Sequence, residues 1–229
     1  MAISRTKIEW CDYTWNPIVG CKHGCEYCYA RRMNERFKFI PEWSEPKFFM
    51  DRLEDLERKI SIPKKRNRIA KELSPFKPII FVGSMCDMFG DWVQPEWIEK
   101  ILYQAAKFKG DIEFMYLTKN PKRYLEFIPS FTSSTWLGET LTGETFKNMK
   151  HLWHVKNDFS HTGFKTFASI EPILSNFEWV ALTQYDAIIV GAMTGVNAVK
   201  PKQEWIDSIK HRNIFFKDNI LKRKDLTWT

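Results

Sequence analysis

The chain has 229 residues, of which 44% are hydrophobic, enough for one larger domain or two small ones with a full core. Thirty-five Lys and Arg against 28 Asp and Glu give a formal net charge of +7, which favours anionic partners such as nucleic acid. No apolar run approaches the roughly 18 residues of a membrane helix, and the polar N-terminus lacks a secretory signal, so we expect a cytoplasmic protein without membrane contact.

The predicted elements begin with a strand around Thr14 to Gly20 and a helix from Tyr29 that follows three cysteines. A charged stretch with several prolines predicts an insertion at about 39–77, with its clearer helix at 51–60. From residue 78 onward short apolar strands alternate with helices, a pattern typical of a parallel sheet covered by helices. The predicted strands are 79–83, 112–118, 135–138, 165–169, 187–191 and 214–216, and the predicted helices are 95–108, 121–127, 143–157 and 202–211.

Nearly every predicted strand ends in side chains that can react or form hydrogen bonds. In (β/α) barrels the active site is built from the loops at the carboxyl ends of the strands. We therefore predict an α/β fold, an incomplete (β/α) barrel of about six parallel strands, as a single domain over residues 1–229 with the charged helical insertion at about 39–77. The end-of-strand side chains are those of Ser84, Asp87, Thr118, Lys119, Glu139, Thr140, Glu171, Thr194, Asn197, Lys217 and Asp218.

Three of the five cysteines, Cys21, Cys25 and Cys28, lie within eight residues directly after the first predicted strand. An odd count clustered in this way is not the pattern of a secreted disulfide framework. Three thiolates on one tight loop can each bind one iron of a [4Fe–4S] cluster, and the open fourth iron can then bind S-adenosylmethionine (SAM). The alternatives are a structural zinc ion, for which His23 would have to be the fourth ligand, and thiols without a metal.

The C-x3-C-x2-C spacing, with Tyr27 before the last cysteine and its place after the first strand, resembles the radical-SAM superfamily. More closely, the chain resembles a phage-encoded radical-SAM-like family of largely uncharacterised proteins. The resemblance implies an enzyme that cleaves SAM reductively to a 5′-deoxyadenosyl radical, with electrons from an external one-electron donor, in the cytoplasm of a bacterial or archaeal host. The matching segments are residues 7–10, 14–17, 28–30, 84–89, 117–121, 136–138, 169–172 and 215–217.

The same resemblance implies which side chains serve the cofactors. The three cysteines hold the metal cluster and, with Glu171, are the expected catalytic residues. Ser84 and Asp87 would accept the protons of the SAM ammonium group. Lys119 would bind the SAM carboxylate or a substrate phosphate, unless it is an ordinary surface lysine of a first helical turn. Glu171 would accept hydrogen bonds from the SAM ribose or the substrate, unless it caps a strand end. The other expected cofactor-binding residues are Tyr27, Glu139, Thr140 and Met193.

Two segments depart from the family pattern where substrate would lie, at 139–141 and 191–194. The basic charge, the aromatic content and the phage association favour a nucleic-acid base or nucleotide-derived substrate over a peptide. The basic segments 64–68 and 222–224 would hold the phosphates of a polymer, or be solvated surface if the substrate is small. Isomerase, lyase and transferase outcomes stay open. The alternative function is a nucleic-acid-binding protein with a structural or redox-sensing iron–sulfur cluster.

Overall fold

The computed structural model describes residues 3–57, 60–142, 163–195 and 197–227, together with Leu152 and Val155. The strands are β1 (Ile3–Arg5), β2 (Tyr13–Trp15), β3 (Ile18–Val19), β4 (Lys47–Phe48), β5 (Ile79–Val82), β6 (Glu113–Thr118), β7 (Thr135–Thr140), β8 (Lys165–Ile170), β9 (Ala187–Val190) and β10 (Ile214–Phe216). The α-helices are α1 (Tyr29–Phe37), α2 (Arg68–Leu73), α3 (Pro95–Ala106), α4 (Gln203–Asp207) and α5 (Asp218–Leu221), and Met50–Glu57 and Pro121–Ser130 form 3₁₀ helices.

The centre of the fold is one sheet with the strand order β1-β2-β5-β6-β7-β8-β9-β10. From β2 to β10 every pair of neighbours is parallel, and β1 pairs with β2 in the antiparallel sense. Because β1 and β10 are the two edges of this order, the sheet is open. The predicted α/β fold with an incomplete barrel of parallel strands is therefore confirmed. Strands β3 and β4 form a separate antiparallel pair.

The sheet is covered on both faces because successive strand residues point to opposite sides. On the α3 face, Val82, Tyr116 and Leu137 belong to a large core that includes α3 and the second 3₁₀ helix. On the α2 face, Phe81 and Phe167 pack with residues of α2, with Trp10 and with Cys11 in a second core. Both faces of the parallel strands are apolar, which explains why these strands are continuous hydrophobic runs in the sequence.

The predicted elements and the observed ones agree best for strands β5 to β10, whose boundaries differ by at most two residues. The first predicted strand, at 14–20, is two separate strands, β2 and β3. The strand β1, which has no buried residue, and the short strand β4 were not predicted. The helices predicted at 51–60 and 121–127 are 3₁₀ helices, and the second contains Pro129. The helix predicted at 143–157 lies outside the described residues except for Leu152 and Val155. Within the described ranges, no helix has the length and apolar composition needed to cross a membrane.

The contacts that join the segment 39–77 to the sheet include a buried ion pair. Arg66 donates to both carboxylate oxygens of Asp12, at 2.9 and 2.7 Å, and also to backbone carbonyls of α2 and the turn after it. Asp12 in turn accepts a hydrogen bond from the Ile79 amide at the start of β5. Arg66 is therefore a structural residue, and the segment 64–68 does not present all its basic side chains to a phosphate backbone.

We predict that Arg66→Met lowers the free energy of unfolding by about 3–5 kcal/mol, because it leaves the buried Asp12 carboxylate without its counter-charge. Urea denaturation followed by circular dichroism measures the change. Lys64→Met is the matched control, since Lys64 is an exposed residue of the same segment, and it should change the value by no more than about 0.5 kcal/mol. Equal stabilities of the two variants would contradict the anchoring role of Arg66.

Candidate active site

The three clustered cysteines lie on the loop between β3 and α1, which we call the cysteine loop (residues 20–28). Its backbone is held by hydrogen bonds from the Gly20 amide to Met85 and from the Cys21 amide to Trp43, at 3.0 and 2.9 Å. Cys28 is the N-cap of α1, and its sulfur accepts a hydrogen bond from the amide of residue 31 at 3.3 Å. The thiols of Cys21, Cys25 and Cys28 are half-buried and not in disulfides.

The Asp87 carboxylate joins the cysteine loop to the carboxyl ends of β5 and β6. It is buried and accepts four hydrogen bonds: from His23 Nε2 at 2.7 Å, from the Thr118 hydroxyl at 2.7 Å, and from the amides of Lys119 and Phe89 at 2.9 and 3.1 Å. Both of its oxygens therefore already have two donors each. The role predicted for Asp87 at the SAM ammonium group stays a prediction.

Lys119, whose amide donates to Asp87, also contacts Tyr27 of the cysteine loop. Lys119 Nζ donates to the Tyr27 hydroxyl at 2.8 Å and lies 5.4 Å from the centre of the phenol ring. Burial raises the pKa of Tyr27, and the neighbouring Lys119 ammonium opposes that rise. The contact fixes a lysine that follows β6 against the cysteine loop, as expected for residues at one end of a parallel sheet.

Glu171 and Lys217 form an ion pair at the ends of β8 and β10. Lys217 Nζ lies 2.5 Å from Glu171 Oε1, and both side chains are partly accessible. Gly191, at the end of the intervening β9, leaves room for the carboxylate, because a Cβ there would lie 2.8 Å from Glu171 Cδ. The sequence placed both residues at strand ends but did not predict that they pair.

Ser84 belongs to a second group of contacts next to the cysteine loop. Its hydroxyl donates to the side-chain oxygen of Asn16 at 3.1 Å, and its carbonyl accepts from the Tyr29 hydroxyl at 2.6 Å. Met193 lies in the loop after β9, where its sulfur accepts from the Val199 amide at 3.5 Å. Sequence reasoning missed the structural role of Asn16 in this group, although Asn16 lies in a segment quoted for the family resemblance.

Glu139 is separated from the other predicted site residues. It is fully buried and lies on the α3 face, where Oε2 accepts from the Tyr185 hydroxyl at 3.0 Å. Among the described residues, no group hydrogen-bonds to Oε1. Burial raises the pKa of Glu139 to about 8. Since adjacent strand residues point to opposite faces, Thr140 is directed to the α2 face. Glu139 and Thr140 therefore do not line the same face of the sheet.

An open pocket of about 520 Å³ lies against the outer side of the cysteine loop. It is lined by Cys21, Lys22, Gly24, Arg31 and residues 42–45. Burial raises the pKa of the Cys21 thiol to about 12. In the described part of the chain, no three His, Cys, Asp or Glu side chains are grouped as they would be around a single metal ion.

We predict that the stability of the protein falls as pH rises from about 4.5 to about 8 because of Glu139. Its carboxyl has a raised pKa in the folded state, so the unfolded chain loses the proton first and is favoured over this pH range. Glu139→Gln lacks this titrating carboxyl. Its free energy of unfolding relative to that of the wild type should therefore rise by a few kcal/mol between pH 4 and pH 8.5. Thermal unfolding across pH measures it, with the exposed Glu99→Gln as control. Parallel pH curves for wild type and Glu139→Gln would contradict the prediction.

The fold is similar to that of spore photoproduct lyase. A structure of that enzyme complexed with dinucleoside spore photoproduct has a TM-score of 0.56 and 11% sequence identity, over 83% of this chain and 58% of that chain. A variant bound to the same dinucleoside gives a TM-score of 0.55 with equal identity and coverage. This chain thus spans 58% of the length of those chains, and the likeness shows a shared fold. No curated protein matches the chain. A family profile described as "Protein of unknown function (DUF5131)" matches residues 5–217, so the chain belongs to this family.

Proposed function

We propose that the protein is a radical-SAM enzyme that acts on a nucleic-acid base or a nucleotide-derived substrate. The observation that carries the proposal is the cysteine loop, where three free thiols at C-x3-C-x2-C spacing lie next to the carboxyl ends of parallel strands. Spore photoproduct lyase, whose fold is similar, is a radical-SAM enzyme, and its structures are described with a dinucleoside. These findings support the proposal. The phage origin, the host and the electron donor stay predictions.

The cysteine loop has the donor set that a [4Fe–4S] cluster requires. Each of Cys21, Cys25 and Cys28 would bind a separate iron, so the three sulfurs need not converge on one point. Cys28 caps the N-terminus of α1, where the amide of Arg31 donates a hydrogen bond to its sulfur. Metal binding would release the thiol proton that burial holds on Cys21. When bound, the cluster would supply the electron that cleaves SAM and yields a 5′-deoxyadenosyl radical.

The surrounding side chains are suited to hold SAM and a polar substrate. Lys119, fixed by Tyr27, offers a positive charge for the carboxylate of SAM or for a substrate phosphate. Glu171, held by Lys217, keeps oxygens that can accept hydrogen bonds from ribose hydroxyls. The Ser84 hydroxyl donates to Asn16, so its oxygen can still accept a hydrogen bond from an ammonium group. Thr140 lies at the carboxyl end of β7 and Met193 lies in the loop after β9, so both are at the same edge of the sheet. We propose them as further contacts.

We predict that protein reconstituted under anaerobic conditions binds about four irons and four sulfides, and that Cys21→Ala, Cys25→Ala and Cys28→Ala each lose the cluster. Iron and sulfide analysis with visible absorbance measures this. Cys11→Ala is the control and should keep the cluster, because Cys11 lies in the core on the α2 face. Stoichiometric zinc without iron–sulfur absorbance would contradict the proposal. A cluster that forms but never cleaves SAM would favour the alternative, a nucleic-acid-binding protein with a structural or redox-sensing cluster.

We predict that Asp87→Asn lowers both the iron retained after gel filtration and the affinity for SAM. An amide cannot accept four hydrogen bonds, so the variant would release either His23 or the amide of Lys119. Asp91→Asn is the control, since Asp91 lies on the same loop and contacts only Asn120 among the described side chains. If iron stays intact while the SAM dissociation constant rises about 10- to 100-fold, Asp87 binds the ammonium directly, as the family resemblance implies.

A further inference from the structure

Helix α1 directs an apolar row toward solvent. Tyr29, Met33 and Phe37 recur every fourth residue, so they lie along one side of the helix, and their exposed fractions are 43%, 38% and 54%. Phe39, with an exposed fraction of 43%, continues the row beyond the helix end, and its ring lies 5.8 Å from that of Phe37. The apolar side of a surface helix normally faces the core. We call these four residues the α1 row.

The α1 row is presented on a fixed support. The buried Asn34 side chain donates to the Ile40 carbonyl and accepts from the Ile40 amide, both at 3.0 Å. Lys38 adopts a left-handed conformation, with φ of 52°, which ends the helix and turns the chain so that the two phenylalanines approach. The backbone that carries Phe37 and Phe39 is therefore held by these contacts, which makes the row suitable for binding a partner.

Positive charge that is not neutralised lies beside the row. Arg32 and Arg36 are one helical turn apart, and Arg36 lies 5.0 Å from the centre of the Phe37 ring. Within the described ranges, no carboxylate lies at ion-pair distance from either arginine, whereas Arg31 is paired with Glu35 at 3.9 Å. Exposed rings next to arginines that are not in an ion pair with a described carboxylate are typical of surfaces that bind single-stranded nucleic acid.

The row begins at the proposed active site. Helix α1 starts directly after Cys28, and the Tyr29 hydroxyl contacts Ser84 in the loop after β5. Arg32 donates to the carbonyl of Thr194 in the loop after β9, at 3.4 Å. From Tyr29 to Phe37 the helix extends about 12 Å. A polymer that lies along the row would thus reach the loops at the carboxyl ends of the strands.

We infer that the α1 row is the docking surface for single-stranded DNA, which it leads to the active site. This inference rests on the proposed function, whose substrate it specifies as a base within a single strand. Rings stack on any unpaired base, and guanidinium groups bind phosphates and also stack, whereas the bases of a duplex are already stacked on each other. DNA meets the chemistry of the row in full, because neither base stacking on the rings nor phosphate binding by the guanidinium groups requires a 2′-hydroxyl.

The test measures fluorescence anisotropy of a labelled single-stranded DNA of about 12 nucleotides with reconstituted protein at two salt concentrations. Phe37→Ala should raise Kd about 5- to 150-fold, the effect of losing one base–aromatic stack. Arg36→Gln should raise Kd and reduce the slope of log Kd against log salt by about 0.7. Phe76→Ala, at an exposed phenylalanine outside the row, and Arg212→Gln, at an exposed arginine, are the matched controls and should bind as wild type.

Each outcome decides the inference. An unchanged Kd in both α1 variants, tighter binding of the matching RNA, or tighter binding of duplex DNA would overturn it. A dimer that dissociates in Phe37→Ala would also overturn it, since the row would then bind a second copy of the chain. SAM cleavage is assayed separately without DNA. Cleavage in a protein that does not bind DNA at α1 would refute only this inference, and DNA binding at α1 without cleavage would refute only the proposed enzyme activity.

Discussion

The Asp87 carboxylate is the interaction on which the arrangement of the candidate site depends. Its four donors come from the cysteine loop, from its own loop after β5 and from the end of β6, so one buried charge holds three segments in register. Burying a carboxylate is costly unless hydrogen bonds replace those it made with water. Moving any of the four donors away would restore part of that cost, so the donors stay in place. Through His23, Asp87 determines how the loop of three thiols approaches the ends of the strands.

The fold was largely predictable because its main signal is local. A parallel strand covered on both faces is a short run of apolar residues, and such runs gave β5 to β10 almost to the residue. Strand β1 was not predicted because it is short, none of its residues is buried, and two of the three are polar. The segment 39–77 was predicted as a charged helical insertion, but its ion pair between Asp12 and Arg66 was not predicted. That pair joins residues far apart in sequence, and no local sequence pattern predicts it.

The candidate site was predictable as a set of strand ends but not as a set of contacts. The pairs Lys119 with Tyr27 and Lys217 with Glu171 follow from the strand order, which the sequence does not reveal. Glu139 shows how sensitive the reasoning is to a boundary. The sequence ended the strand at residue 138, which placed Glu139 in a loop, whereas β7 continues to residue 140 and directs this carboxyl into the core on the α3 face.

Helix α1 connects the cysteine loop with the α1 row. At its first turn an amide stabilises the sulfur of Cys28, and along its exposed side lies the α1 row. The helix is short and has few buried residues, so its position depends on its two ends. The Cys28 cap and the Tyr29 contact hold the first end, and the Asn34 contacts with Ile40 hold the second. A strand bound along the row would therefore be located by the same contacts that locate the thiol. Because α1 follows the cysteine loop directly and is held at both ends, the distance between a nucleic acid bound along the row and the three cysteines would be set by the fold and not by the ligand.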